Sequence, residues 1–97
     1  MRIDLLLKYL CLVKSRSIAK SLCEKGAVRI FERPVRASSQ VREGDHISLE
    51  TRGGTLVVEI QQVPQKQLSR ALAPTHYRRI AWTPRGDPDA DFWEDGS

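Results

Sequence analysis

Ninety-seven residues, 40% of them hydrophobic, are enough for one small domain with a modest core and too few for two. The net charge of +4 hides an asymmetry: residues 1–85 hold all 16 Lys and Arg against seven acids, a balance of +9, while residues 86–97 hold five acids and no base. A basic body with an acidic tail points to nucleic acid or an anionic surface as partner, because clustered cations are repaid only by an anionic ligand.

Ile3, Leu6, Leu7, Leu10 and Val13 recur at the spacing of one helical face, and Asp4 suits the positive end of a helix dipole, so a first helix is expected over residues 4–12. This apolar stretch is broken by Lys8 and falls far short of the roughly 20 residues that span a bilayer. It also lacks the small-residue cleavage site of a secretion signal, so a soluble, cytoplasmic protein is expected. Ser15 is placed to cap a second helix over residues 16–25, with Ile18, Ala19, Leu22 and Cys23 on its inner side. Gly26 is placed to end that helix in a left-handed conformation. Cys11 and Cys23 fall within apolar helical stripes and read as buried free thiols; a disulfide joining the two helices is the alternative.

From Ala27 the period changes to that of strands. Short strands are expected at residues 27–30 and 35–37, joined through Phe31, Glu32, Arg33 and Pro34, where Pro34 fits only an edge strand or a strand start. Gly44 and Asp45 read as a tight turn into residues 46–50, where Ile47 and Leu49 alternate with polar neighbours. Gly53 and Gly54 read as a second turn into residues 55–60. Beyond Val63 and Pro64 the pattern weakens. Residues 65–73 suit a short helix carrying Leu68 and Leu72 and stopped by Pro74, and only Tyr77, Ile80 and Trp82 anchor residues 75–83. Residues 84–97 combine Asp and Glu with Gly and Pro and read as a disordered acidic tail. The fold expected is α+β, with two N-terminal helices packed on a small, mainly antiparallel sheet. It divides into residues 1–63, an extension at 64–83 and the tail at 84–97.

The densest charge lies on and around the second helix. Arg16 and Lys20 are one turn apart, Lys14 precedes the helix, Lys25 ends it, Arg29 follows on the strand, and Ser15 and Ser17 add hydroxyl donors. Each base that neutralises a phosphate releases condensed counterions, and Arg16 in the first turn adds a planar, bidentate donor beside helix N–H groups that favour the same anion. The plainer alternative is that Lys20 and Lys25 solvate an exposed face and Ser15 only caps. His46 and His76 lack a Cys, His or carboxylate at metal-ligand spacing; there is no phosphate-binding Gly-rich loop, no Gly-x-Ser-x-Gly frame and no paired acids in the body for acid–base work. No enzyme activity, metal or cofactor is therefore expected.

Arg2, Ile3, Asp4 and Leu7, then Lys14, Ser15, Arg16, Ser17 and Ala19, then Gly26 and Val28, then Val35 and the Gly44–Asp45 turn before an apolar strand, follow one another in an order that resembles the alpha-L RNA-binding motif, first described in small-subunit ribosomal protein four. The resemblance covers about residues 2–50. It implies a domain that holds structured ribosomal or transfer RNA through the second helix and the following strand, with contacts from Arg2, Lys14, Ser15, Arg16, Lys20, Lys25 and Arg29, to which the charge reading above adds Ser17. Many members carry Asn-Gly where this chain has Phe31 and Glu32, so a different turn geometry is expected here. Family members are often fused to pseudouridine synthases or tyrosyl-tRNA synthetases, for which this chain has no room. It looks more like the stand-alone, ribosome-associated members, similar to the small heat-shock protein that binds the large ribosomal subunit and to quality-control proteins acting after a stalled ribosome has split. A monomer bound to ribosomal RNA, transfer RNA or the large subunit, and to no membrane, is the resulting expectation. The alternative is a protein-interaction adaptor using the basic face and the acidic tail around Phe92 and Trp93.

Overall fold

The computed structural model describes residues 1–84. The acidic tail expected over residues 84–97, with Phe92 and Trp93, lies outside the described residues except for Pro84, which is the last residue of a strand instead. Helix α1 spans Ile3–Tyr9 and α2 spans Arg16–Glu24. They are followed by strands β1 (Val28–Ile30), β2 (Arg33–Pro34), β3 (His46–Glu50), β4 (Gly54–Ile60) and β5 (Tyr77–Pro84), with a 3-10 turn at Ala73–His76 before β5. The strands form one antiparallel sheet in the order β2-β1-β3-β4-β5, so the expected α+β arrangement of two helices on an antiparallel sheet is present.

Both helices end in the same backbone device. After α2, Gly26 takes φ 74°, its N–H donates to the Cys23 carbonyl at 3.0 Å, and the Ala27 N–H donates to the Leu22 carbonyl at 2.9 Å. This Schellman motif satisfies carbonyls that the helix itself leaves open. After α1, Cys11 takes φ 59° and its N–H donates to the Lys8 carbonyl at 3.0 Å, while the Leu12 N–H donates to the Leu7 carbonyl at 2.9 Å. Helix α1 therefore stops before the expected residue 12: Leu10 and Leu12 are both buried, but the chain reverses between them. Neither thiol is in a disulfide; Cys23 is buried, and Cys11 is half-buried rather than buried, its Sγ–H donating to the Leu68 carbonyl at 3.3 Å.

One core lies between helices and sheet. Ile3, Leu6, Leu7 and Leu10 of α1, with Ala19 and Cys23 of α2, meet Val28, Ile47, Leu49, Leu56, Val58 and Ile60 of the sheet. The period of two along β3 and β4 puts those strand residues inward and leaves His46, Ser48, Glu50, Thr55, Val57 and Glu59 on the other face.

Four details differ from the sequence expectations. Residues 35–37 are not a strand; β2 is only Arg33–Pro34, where a proline on the sheet edge costs no ladder bond, and the Ala37 and Ser39 carbonyls instead accept N–H groups from Asp4 and Ile3. Residues 65–72 form no helix, and the 3-10 turn that begins at Ala73 runs through Pro74 where a stop was expected. Two apolar positions offer too little burial, and the segment is held by contacts with the end of α1, where the Leu68 N–H donates to the Tyr9 carbonyl at 3.2 Å and Gln67 Nε2 to the Lys8 carbonyl at 3.0 Å. Residues 77–84, weakly patterned in sequence, are a full edge strand paired with β4 across a bulge at Val57/Val58. The β3–β4 turn runs through Arg52 and Gly53, since Gly54 already belongs to β4 and pairs with Pro84, so close that a Cβ there would overlap the Thr83 carbonyl.

Candidate nucleic-acid interface

The site is built around a carboxylate. Asp4 lies in the first turn of α1 with its side chain only 4% exposed, and its Oδ1 accepts the Leu5 N–H at 2.7 Å. Arg2, at the N-cap of α1, donates Nε to Oδ1 and Nη2 to Oδ2, both at 3.2 Å; Arg16, the first residue of α2, donates Nη2 to Oδ2 at 3.3 Å. A buried carboxylate needs such partners, and bonds to a guanidinium are charge-assisted. Both arginines remain 47% exposed. Two helix starts from different points in the chain are thus tied together, and two guanidiniums share one negative charge, a local excess of positive charge directed at solvent.

Ser15 takes extended backbone angles, φ −150° and ψ 162°, and its Oγ accepts the Ile18 N–H at 3.2 Å, so its hydroxyl caps α2. Lys14 and Ser17 are exposed on either side of the cap, and Lys20 is exposed one turn beyond Arg16. These residues gather at the start of α2. Lys25 does not join them: nine positions from Arg16 is about 180° around a helix. Lys25 lines instead an open groove of about 510 Å³ with Ile18, Ser21, Leu22, Ala27, Glu50, Thr51 and Arg52. Arg29, on β1, pairs with Glu50 at 3.6 Å. The eight residues singled out from the sequence therefore divide into a cluster of Arg2, Lys14, Ser15, Arg16, Ser17 and Lys20 and a second, partly neutralised pair, Lys25 and Arg29. Lys14, Lys20 and Lys25 make no ion pair among the described residues.

Sequence reasoning took Asp4 for a helix-dipole acid and missed its bridging role; the clue was its position two residues after Arg2, although nothing local announces Arg16 as its second partner. Across the outer sheet face, His46 Nε2 meets Glu59 Oε2 at 3.2 Å and Arg78 Nη2 donates to Glu59 Oε1 at 3.2 Å. The bonds from His46 first, and then Arg78, hold the Glu59 carboxyl below its ordinary value. Burial first, then the Asp4 and Glu24 charges, pushes the Cys23 thiol up to about 11. Among the described residues, no group of three His, Cys, Asp or Glu could hold a metal, and no helix is long and apolar enough to cross a membrane.

Residues 1–47 match the S4 domain, the span from α1 to the start of β3. The chain is similar to the RQC P-site tRNA stabilizing factor of Halalkalibacterium halodurans, 34% identical over 65 residues that cover 67% of this chain and 74% of that protein. The factor of the same name from Helicobacter pylori is 41% identical over 64 residues, covering 66% and 76% of the two chains. The Bacillus subtilis factor is 36% identical over 61 residues, covering 63% and 69%. Among solved structures, the trimeric Vibrio cholerae Heat Shock Protein 15 is similar in fold, with a TM-score of 0.79 and 25% identity over 84% of this chain and 82% of that one. Helix α1, the capped α2 and the β1–β2 hairpin thus fall within a known domain, and the chain belongs to the S4-domain family that includes the RQC P-site tRNA stabilizing factors.

Proposed function

We propose that the chain is a non-enzymatic, cytoplasmic RNA-binding protein that holds structured ribosomal RNA, transfer RNA or both on the large ribosomal subunit during quality control of stalled ribosomes. The observation that carries the reading is the Asp4 bridge, which fixes Arg2 and Arg16 side by side at the start of α2 with both guanidiniums half exposed. A guanidinium held by a carboxylate on one edge still offers donors on another, so the pair is preorganised for phosphates and loses little side-chain entropy on binding. Lys14, Lys20 and Ser17 extend this edge along the RNA backbone. Lys25 and Arg29 contribute less, because Lys25 faces the groove and Arg29 has Glu50 beside it. The names of the curated relatives support transfer RNA and ribosome quality control as the setting. In this reading residues 1–63 carry the contacts, residues 64–83 buttress them, and the protein acts as a monomer without a cofactor. Sedimentation with separated ribosomal subunits at low and high salt tests it: binding to large subunits that weakens as salt rises is expected, and equal binding to neither or both subunits contradicts it.

A further inference from the structure

The β1–β2 hairpin departs from expectation in an informative way. Ile30 pairs with Arg33, leaving a two-residue loop in which Phe31 has φ 48° and Glu32 φ 68°. The sequence lacks the Asn-Gly that such a turn prefers, and a different geometry was expected; the chain nevertheless adopts positive φ at both central positions, as a type I′ turn requires. Two residues with a Cβ are therefore held in a costly region, and strain of that kind persists only where the surroundings enforce it.

Phe31 is also the most exposed large hydrophobic residue among those described, at 56%. Its ring stacks on His46, with centroids 5.2 Å apart and planes at 26°, and its N–H donates to the His46 carbonyl at 2.9 Å. His46 is in turn held by Glu59, and Glu59 by Arg78. The strained turn thus presents a flat, exposed ring on a fixed support. From this tip the chain runs through Arg33 and Arg36, both exposed and without an ion pair among the described residues, to Ala37 and Ser39, whose carbonyls accept the N–H groups of Asp4 and Ile3. Two cations without an ion pair among the described residues therefore lie, along the chain, between the exposed ring and the loop that is hydrogen-bonded to the start of α1.

We propose that Phe31, backed by His46, is a stacking platform for an unpaired nucleobase, with Arg33 and Arg36 taking the adjoining phosphates. The proposal rests on the RNA-binding reading above. Any base has a π-face to lay on an aromatic ring, and cations beside the ring suit the phosphodiester that accompanies a base. An apolar protein partner would gain nothing from that cationic border.

The test uses the full chain and purified large ribosomal subunits. Phe31→Trp should keep the affinity within about twofold, while Phe31→Leu and Phe31→Asn should lose about tenfold, the effect of one base stack, without changing the slope of log affinity against log salt. Asn tolerates positive φ better than Phe, so Phe31→Asn should melt no lower than the parent, which separates lost binding from lost folding. A photo-crosslinking benzoylphenylalanine at position 31 should join to ribosomal RNA. Parent-like binding by Phe31→Asn while Arg16→Ala weakens binding overturns the platform alone, as does crosslinking solely to a ribosomal protein. Insensitivity of binding to both substitutions overturns the platform and the RNA reading together.

Discussion

At the scale of single residues, Asp4 has consequences for both folding and charge. It is buried, accepts from two arginines and one backbone N–H, and joins the starts of α1 and α2. Asp4→Ala leaves two guanidiniums without their carboxylate, and because both are half exposed the loss should be moderate, about 1–3 kcal/mol by denaturant unfolding. Loss below about 0.5 kcal/mol would show that the bridge contributes little. Cys23 makes a pH-dependent prediction. Its thiol is raised from 9.0 to about 11 in the fold, so the native state favours the neutral form; that stability is complete below pH 9 and is lost as pH rises toward 11. The stability gap between parent and Cys23→Ala should therefore narrow across this window and stay constant below it, as read by unfolding at stepped pH. At this scale the sequence was legible wherever a residue's role is local. Ser15 caps as its position before an apolar run suggested, and Gly26 turns left-handed where the helix stops. The pairing of Asp4 with Arg16 and the division of Lys25 from Arg16 depend on how α2 is rotated against α1, which a linear pattern does not contain.

At the scale of elements, two helices with the same terminal motif give an internal comparison. Gly26 occupies its left-handed position at no steric cost, and nothing lies within 4 Å of where a Cβ would stand. Gly26→Ala should therefore destabilise by about 1 kcal/mol through backbone strain alone. Cys11 already bears such strain at φ 59°, and Cys11→Gly relieves it but gives up the Sγ bond to Leu68. Its change in thermal midpoint should accordingly be smaller in size than that of Gly26→Ala. A larger loss in Cys11→Gly would mean that the thiol contact outweighs the backbone term. The elements misread from sequence share a cause. Helix 65–73 and the strand at 35–37 were inferred from sparse apolar residues, and in the fold each stretch has a backbone bond to α1, Leu68 N–H to the Tyr9 carbonyl and Asp4 N–H to the Ala37 carbonyl. Strand β5 was missed because an edge strand on a solvated face needs little alternation: Arg78, Arg79, Ile80 and Ala81 are all exposed. Its partner β4, with four buried residues alternating with three half-buried ones, was plain.

At the scale of the whole molecule, the fold separates its duties between two faces. The helices and the inner face of the sheet make one core, the starts of the helices carry the arginine pair, and the outer face of the sheet carries the His46, Glu59 and Arg78 row that supports the hairpin tip. Residues 1–85 are basic while the last 12 residues hold only acids among their charges, so the proposed attraction to RNA belongs to the body and not to the tail. Each phosphate contact displaces condensed counterions, which makes salt dependence a count of contacts rather than a measure of stability. The most direct measurement is therefore the affinity of parent and Arg16→Ala for purified large ribosomal subunits across a series of salt concentrations, with folding of both checked by thermal melting. Arg16→Ala should bind more weakly at low salt, and the magnitude of its log–log slope should be about one smaller than the parent's, as loss of one phosphate contact requires. A folded Arg16→Ala protein with the parent's affinity and the parent's slope would contradict the assignment of this edge to RNA.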